Sequence, residues 1–396
     1  MIGTRRCLGG LPILGGLLLL GVIGCTTGAP RPATMTVPAY EPDTSFPRLP
    51  NDWSLGNVSD VAVDRHDNVW ILHRPRTVAA GKTAAPAVVE FDATGKFLRG
   101  WGGEGAGYDW PDAEHNIFVD QKSRVWISGS SPSGQSRTTR SDDMLLKFTA
   151  DGKFLAQIGG RSVSHGSTDT RSVNKPGDVY VSARTGEVYV ADGYGNRRVI
   201  VFDADTGTFR RMWGAFGKAP EDDAESGGPG PSGGPAGRTA GAAGPTTLDT
   251  QGPGAPRFAS PVHGIVVSED GIVYVADRHN RRVQLFTTDG RYLNQFFVNR
   301  AGPSPDSVSA LALSPDRDQR FLYMADFGNS HVLIADRRSF DIVAQFGVRG
   351  AGPGDFQGIH QLALDSHGTL YTAEVAPGAR VQKFTIRAST PAVRSN

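Results

Sequence analysis

The chain repeats itself. An apolar strand, a polar turn, a second strand ending near an acid, a third strand, a turn with Gly and a fourth strand recur along most of its 396 residues. The first copy reads Asp60-Val61-Ala62-Val63-Asp64, Val69-Trp70-Ile71-Leu72, Val88-Val89-Glu90-Phe91 and Phe97-Leu98-Arg99-Gly100-Trp101-Gly102. The second contains Asn116-Ile117-Phe118-Val119-Asp120, Val125-Trp126-Ile127, Leu145-Leu146-Lys147-Phe148 and Phe154 through Gly159. Copies three to five begin near Asp178, Gly264 and Ala310, and close on Met212-Trp213-Gly214, Gln295-Phe296-Phe297 and Gln345-Phe346-Gly347. Short strands repeating at a period of about 40 to 50 residues imply a propeller rather than a sandwich. The sixth copy starts at Gln361 and stops after its third strand, Val381-Gln382-Lys383-Phe384. Its outer strand has to come from within Thr36 to Leu49, which closes the ring and covers an edge otherwise unpaired. The expected fold is all-β, a six-bladed β-propeller over residues 41–387 with a disordered tail at 388–396.

Three stretches interrupt the pattern. Residues 75–86 and 129–143 fall between second and third strands of their blades, and residues 219–256 separate the third and fourth copies. The last stretch is dominated by Gly, Pro, Ala and Ser, so it has little apolar surface to bury and is expected as a disordered surface loop. Gly does not recur there at every third place, which excludes a collagen-like helix. Across the chain 41 Lys and Arg face 40 Asp and Glu, a net charge of +1 that gives no reason to expect a nucleic-acid partner.

The first residues read as a targeting segment. Arg5 and Arg6 precede an apolar run from Leu11 to Ile23, too short to span a bilayer comfortably. The run ends Val22-Ile23-Gly24-Cys25, which resembles the bacterial lipobox. That resemblance implies a signal peptide over 1–24, a lipidated Cys25, a flexible tether over 25–40 and an exported protein anchored by lipid to the cell envelope. Thr4-Arg5-Arg6-Cys7-Leu8 leaves the export route open. Cys7 goes with the signal peptide and Cys25 carries lipid, so no disulfide is expected in the mature chain.

Because the blades repeat, one structural position is read six times. Just before the first strand stand Ser59, His115, Gly177, His263, Ser309 and His360. The histidines occupy alternate blades, which in a six-fold ring lie about 120° apart around the axis. First strands line the channel, so the three imidazoles converge as a facial triad with open positions, as a catalytic zinc requires. His66, His73, His165, His279, His331 and His367 fall in turns and strand flanks and are expected to be solvated rather than ligating. Second strands run antiparallel to first strands, so the residues after them emerge on the same face. Those positions hold Arg74, Ser130, Gly193, Arg278, Phe327 and Val375, with Tyr194 following Gly193. Two arginines and a phenol therefore share a face with the three histidines.

The blades resemble NHL repeats, most plainly in Val188-Tyr189-Val190-Ala191-Asp192 and Val273-Tyr274-Val275-Ala276-Asp277. The phrases Leu72-His73-Arg74, Glu114-His115-Asn116-Ile117, Asp192-Gly193-Tyr194-Gly195-Asn196-Arg197, Pro261-Val262-His263-Gly264, Ala276-Asp277-Arg278 and Ile359-His360-Gln361 resemble, in order and by blade, the active-site phrases of peptidyl-α-hydroxyglycine α-amidating lyases. The resemblance implies zinc on His115, His263 and His360, a catalytic Tyr194 at the metal, and assistance from Arg74 and Arg278, whose separate tasks it leaves open. It implies cleavage of the N–C bond of a peptidyl α-hydroxyglycine, giving an amide and glyoxylate from a peptide or small-molecule substrate. Tyr194 can serve as the base if Arg74 or the metal depresses its pKa. The chain is expected to act as a monomer.

Departures from that family are local. Its structural calcium (Ca2+) is held in part by an acid directly after the third histidine; here Gln361 stands there, with backbone carbonyls near Val61 and Ile117 as remaining partners. A family Met two residues before that histidine is replaced by Gly358, and a Cys after the tyrosine by Gly195. Two other readings stay open, a different metal-dependent lyase or hydrolase on the same residues and a propeller that binds without catalysis. Product analysis separates the first and metal content the second. At the other end of the chain, mass spectrometry of membrane-extracted protein should find a diacylated or triacylated Cys25 as the N-terminus; a soluble chain cleaved elsewhere overturns the lipobox reading.

Overall fold

The recurrent phrase folds as it does because its polar positions have partners at the turns. Asp64, at the end of a first strand, accepts the N–H groups of His66 and Asn68 through Oδ1 (2.8 and 3.0 Å) and the Trp70 indole through Oδ2 (3.1 Å). Asp120 repeats this one blade on, with Lys122 N, Arg124 N and Trp126 Nε1. The side-chain turn leads directly into a second strand whose Val69, Trp70, Ile71 and Leu72 are buried. The structure, a computed structural model, describes residues 35–133, 136, 138–222, 251–302, 304 and 306–391. The expected signal peptide, Cys25 and most of the tether lie outside the described residues, as do 223–250 of the long insertion and 392–396 of the tail.

Six four-stranded antiparallel sheets result. Their first strands are Asn57–Val63, Glu114–Val119, Asp178–Ser182, Val262–Val267, Val308–Leu313 and Ile359–Leu364. Each packs against the first strands of both neighbouring blades, and the sixth against the first, so the sheets close as a six-bladed propeller. Side chains alternate between the two neighbours. Leu146 and Phe148 share an apolar cluster with Trp70 and Leu72 of blade 1, whereas Leu145 joins Val179 and Ile200 of blade 3. The core is thus a set of apolar layers between blades, while an outer strand such as Phe97–Trp101 is half-exposed.

The sixth sheet is completed by the N-terminal segment. Thr36–Asp43 pairs antiparallel with Arg380–Pro391, from Thr36 opposite Pro391 to Asp43 opposite Lys383. Tyr40 donates its hydroxyl to Gly368 O (2.9 Å), lies 3.0 Å from the Tyr323 hydroxyl and stacks on Phe346. Pairing outruns composition at both ends: the strand takes in Thr36 to Tyr40, placed in the tether by their Pro and Thr content, and its partner runs to Pro391, inside the expected tail. Ladder bonds come from the backbone, and Pro38 and Pro42 are tolerated because their strand is outermost.

The interruptions are tied down more than their composition suggests. Residues 75–86 begin with the 3-10 turn Pro75–Thr77 and return through Thr83–Ala84, which pairs in parallel with Trp53–Ser54. The described ends of the long insertion are also bonded, which corrects a uniformly disordered 219–256. Asp222 accepts the Ser167 N–H (3.0 Å), and Pro253 O accepts the Gln295 amide (2.7 Å). Deleting 219–256 should therefore lower the melting temperature more than deleting 223–250, by roughly 2 to 6 °C for two such hydrogen bonds. Scanning fluorimetry of both deletions, rejoined by a short Gly-Ser linker, checks this; equal values overturn it.

Candidate metal centre

Each histidine sits where its strand breaks the ladder. Pairing of first with second strand skips one residue between Val58 and Asp60, Glu114 and Asn116, Val262 and Gly264, Val308 and Ala310, and Ile359 and Gln361. The skipped residues are Ser59, His115, His263, Ser309 and His360. A bulge leaves its extra residue without a ladder partner and re-aims its side chain. The histidines, expected just ahead of their strands, thus lie inside them at bulges. Blade 3 has no such skip: its first strand starts at Asp178, and Gly177 N bonds Ala191 O at 2.7 Å.

The three imidazoles meet. Ring centroids are 4.7 to 5.3 Å apart, the ligand nitrogens lie within 4.8 Å of one another, and all three side chains are buried. His263 Nδ1 donates to Ser309 O and His360 Nδ1 to Ser59 O, both at 2.7 Å, so the bulge residue of the next blade supplies each carbonyl. That fixes the tautomer and leaves Nε2 as a lone pair. His115 Nδ1 is buried without a hydrogen-bond partner. Burial holds His115 and His263 well below the ordinary imidazole pKa and takes His360 down to about 3, with further lowering from neighbouring positive charge. Three neutral imidazoles whose ligand nitrogens converge in this way fit a zinc ion.

Tyr194 Oη lies 3.0 Å from His263 Nε2 and 3.3 Å from His115 Nε2. The chain reaches this point because of Gly193, where a Cβ would come within 2.0 Å of Val262 O. A buried Asp192–Arg198 pair (2.8 Å) fixes the root of the loop, its guanidinium also donating to Ser167 O and Ser172 O. Asp277 and Arg282 do the same (2.8 Å) beneath Arg278. In both blades the acid ends the second strand and the arginine opens the third.

Arg278 lies over the Phe327 ring (4.1 Å to the centroid) and pairs with Asp306 (3.3 Å), while its buried Nε has no partner. Arg74 donates Nε to Glu114 O (2.8 Å), and burial lowers its pKa to about 10, so it stays cationic at neutral pH. Its charge reaches His115 and His360. Burial raises the Tyr194 phenol and outweighs the opposing pull of Arg278 and Arg74. An arginine alone therefore does not activate Tyr194, and the protonated phenol donates to His263.

The structure thus gathers all six candidates, and it adds Asp306 and Phe327, to which the sequence alone assigned no role. Neither carries a motif; their part follows only from the loops that bring them to Arg278. His73, expected to be solvated, is instead fully buried, with Nδ1 accepting Gly56 N (3.1 Å) and Nε2 donating to Pro86 O (2.9 Å). His66, His165, His279 and His367 are exposed, His279 pairing with Asp306 at 2.6 Å. Beside His360 the neutral amide of Gln361 stands in place of a carboxylate, buried and with Nε2 unpartnered, so the negative charge that favours a calcium ion is missing there.

Residues 262–286 match the NHL repeat. This propeller carries an NHL repeat. The chain is similar to human NHL repeat-containing protein 3, 24% identical over 354 residues that take in 87% of this chain and 84% of that one. It is similar to rat peptidylglycine alpha-amidating monooxygenase, 31% identical over 252 residues, and spans 21% of that protein with 59% of its own length. It is also similar to the Caenorhabditis elegans "probable peptidyl-alpha-hydroxyglycine alpha-amidating lyase pgal-1", 23% identical over 264 residues, 66% of this chain and 61% of that one.

His73 makes the pH response of the site's frame predictable. Burial lowers its pKa to about 4, so its contribution is complete above the unfolded value near 6.5 and is lost as pH falls toward 4, about 3 kcal/mol in all. His73→Gln, which keeps a donor and an acceptor but cannot titrate, should lose less stability than wild type between pH 7 and pH 4 in urea titrations; parallel losses overturn this account.

Proposed function

We propose that this NHL propeller is a metal-dependent lyase that cleaves the N–C bond of a peptidyl α-hydroxyglycine or a related carbinolamide, releasing an amide and glyoxylate. One observation carries the reading: three neutral imidazoles, a phenol within 3.3 Å of two of them and two buried arginines share one site. A substrate with a hydroxyl and a carboxylate on one carbon uses every one of these groups. Similarity to a protein named a probable α-amidating lyase supports the same reading.

Zinc on His115, His263 and His360 would supply a Lewis acid to the substrate hydroxyl. Tyr194 then takes the hydroxyl proton. Tyr194 acts as the phenolate: with zinc held by the histidines, its O–H would lose the His263 lone pair as acceptor and nearby positive charge would favour release of its proton to water, against the burial that raises its pKa. Arg278, held by Phe327 and Asp306 with Nε unused, grips the carboxylate, and Arg74 adds positive charge on the other side of the centre. As the C–N bond breaks, its electron pair leaves with the amide nitrogen, which takes the proton that Tyr194 received from the hydroxyl, and the carbon keeps its oxygen as an aldehyde. No oxidant or reductant is consumed. The reading includes a monomer anchored through a lipidated Cys25 to the cell envelope.

Similarity over most of NHL repeat-containing protein 3, whose name states a repeat and no reaction, favours a second reading, a propeller that binds without catalysis. Metal content beside glyoxylate release decides between them. His115→Ala, His263→Ala or His360→Ala should remove most bound metal and activity. Tyr194→Phe should keep the metal and lose turnover by about 100- to 10,000-fold, the loss expected of a missing general base. Arg278→Lys should mainly raise KM, since a point charge replaces a planar fork. A wild-type protein without stoichiometric metal, or a fully active Tyr194→Phe, refutes the lyase.

A further inference from the structure

The residue after each bulge, or its equivalent in blade 3, forms a second ring of positions: Asp60, Asn116, Asp178, Gly264, Ala310 and Gln361. Asp60 and Asp178 are both buried, and each accepts three N–H groups. Asp60 takes Val61 N (2.7 Å), Ile117 N (2.7 Å) and Asn116 Nδ2 (2.6 Å). Asp178 takes Val179 N (2.8 Å), Ile265 N (3.0 Å) and Asn116 Nδ2 (2.6 Å). One amide therefore joins both carboxylates, and the chain of bonds laces blades 1, 2, 3 and 4 together.

We infer that this amide–carboxylate lace takes the place of a structural calcium and positions the three-histidine centre, with Asn116 as the residue that makes a divalent cation unnecessary. The Asn116 NH2 group faces both acids and sets its positive end between them. Burial raises both carboxyl pKa values, and the charge of Asp178 adds to the rise at Asp60, which is the repulsion the amide offsets. The members of the lace adjoin the metal ligands and their supports. Asp60 follows Ser59, whose carbonyl orients His360. Asn116 follows His115, the histidine whose Nδ1 has no partner. Ile265 is two residues beyond His263. Fixing these backbones fixes the imidazoles that converge from them.

The full, zinc-loaded chain tests this by thermal shift with and without millimolar calcium chloride, elemental analysis, and competition for zinc with a chromophoric chelator. Wild type should retain no calcium after dialysis and shift by less than about 1 °C. Asn116→Leu should melt lower, ignore calcium and hold zinc about tenfold more weakly. Asn116→Asp exchanges the bridging donors for a third carboxylate, so it should melt several degrees lower and recover both stability and zinc affinity when calcium is added. A wild type that retains one calcium, or that calcium stabilises by several degrees, overturns the replacement. Wild-type zinc affinity in Asn116→Leu overturns the positioning role. The calcium measurement uses the wild type alone, and neither result depends on which reaction the site performs.

Discussion

In an antiparallel sheet every side chain is committed to one face by the period of two, and in a propeller both faces are needed for packing against neighbouring blades. A residue can turn to the ring axis only where the ladder skips it. The bulges at Ser59, His115, His263, Ser309 and His360 supply that freedom at one level of five blades. Three of the five carry an imidazole. The two serines matter through their backbones, since a bulged residue has a carbonyl free of its ladder, and Ser59 O and Ser309 O each accept an imidazole N–H from the blade before. Ligand and support are the same structural device used in alternate blades.

Burial then sets the chemistry. Imidazoles removed from water and close to one another and to Arg278 and Arg74 are held neutral, so the site offers lone pairs rather than charge. The two arginines differ in how they are balanced. Asp306 sits 3.3 Å from Arg278, and Glu114 is the principal acid raising the pKa of Arg74. Neither pairing takes up all the donors of Arg278, whose Nε stays free. A neutral ligand set beside a partly unsatisfied guanidinium suits an anion that also presents a ligand oxygen.

The repeats made the ring legible, since each copy ends in the same phrase and the sixth lacks an outer strand. Aligning copies was enough to bring His115, His263 and His360 to one level, because identical blades place equivalent residues around one axis. What the sequence could not show was how a residue at that position leaves the ladder, because a bulge has no composition of its own. Nor did it show the burial of His73, whose surroundings come from Gly56 and Pro86 across an insertion. Asp306 escaped for a similar reason, and Phe327, though aligned to this face, had no part to play until Arg278 was seen to lie over it. The closing strand falls within Thr36 to Leu49 as expected, while the end of the tether at 40 and the start of the tail at 388 differ because composition reports side chains and closure depends on backbone pairing.

The departures from the lyase pattern cluster around His360, and the structure says which wall of the site they alter. Gly358 has φ of +90°, and a Cβ there would approach Val375 O and Ala376 O at 3.1 Å. A methionine there would be strained at this φ and would crowd those carbonyls, so the backbone as it stands suits glycine. The aromatic neighbour of His360 is Phe327, from the adjacent blade, 6.4 Å away between ring centroids and lying under Arg278 at 4.1 Å. One side chain therefore links the three-histidine cluster to Arg278. On the lyase reading proposed above, selection among substrates with a common hydroxyl and carboxylate would fall to the shape set by Phe327 and Asp306, while the three histidines would hold the metal.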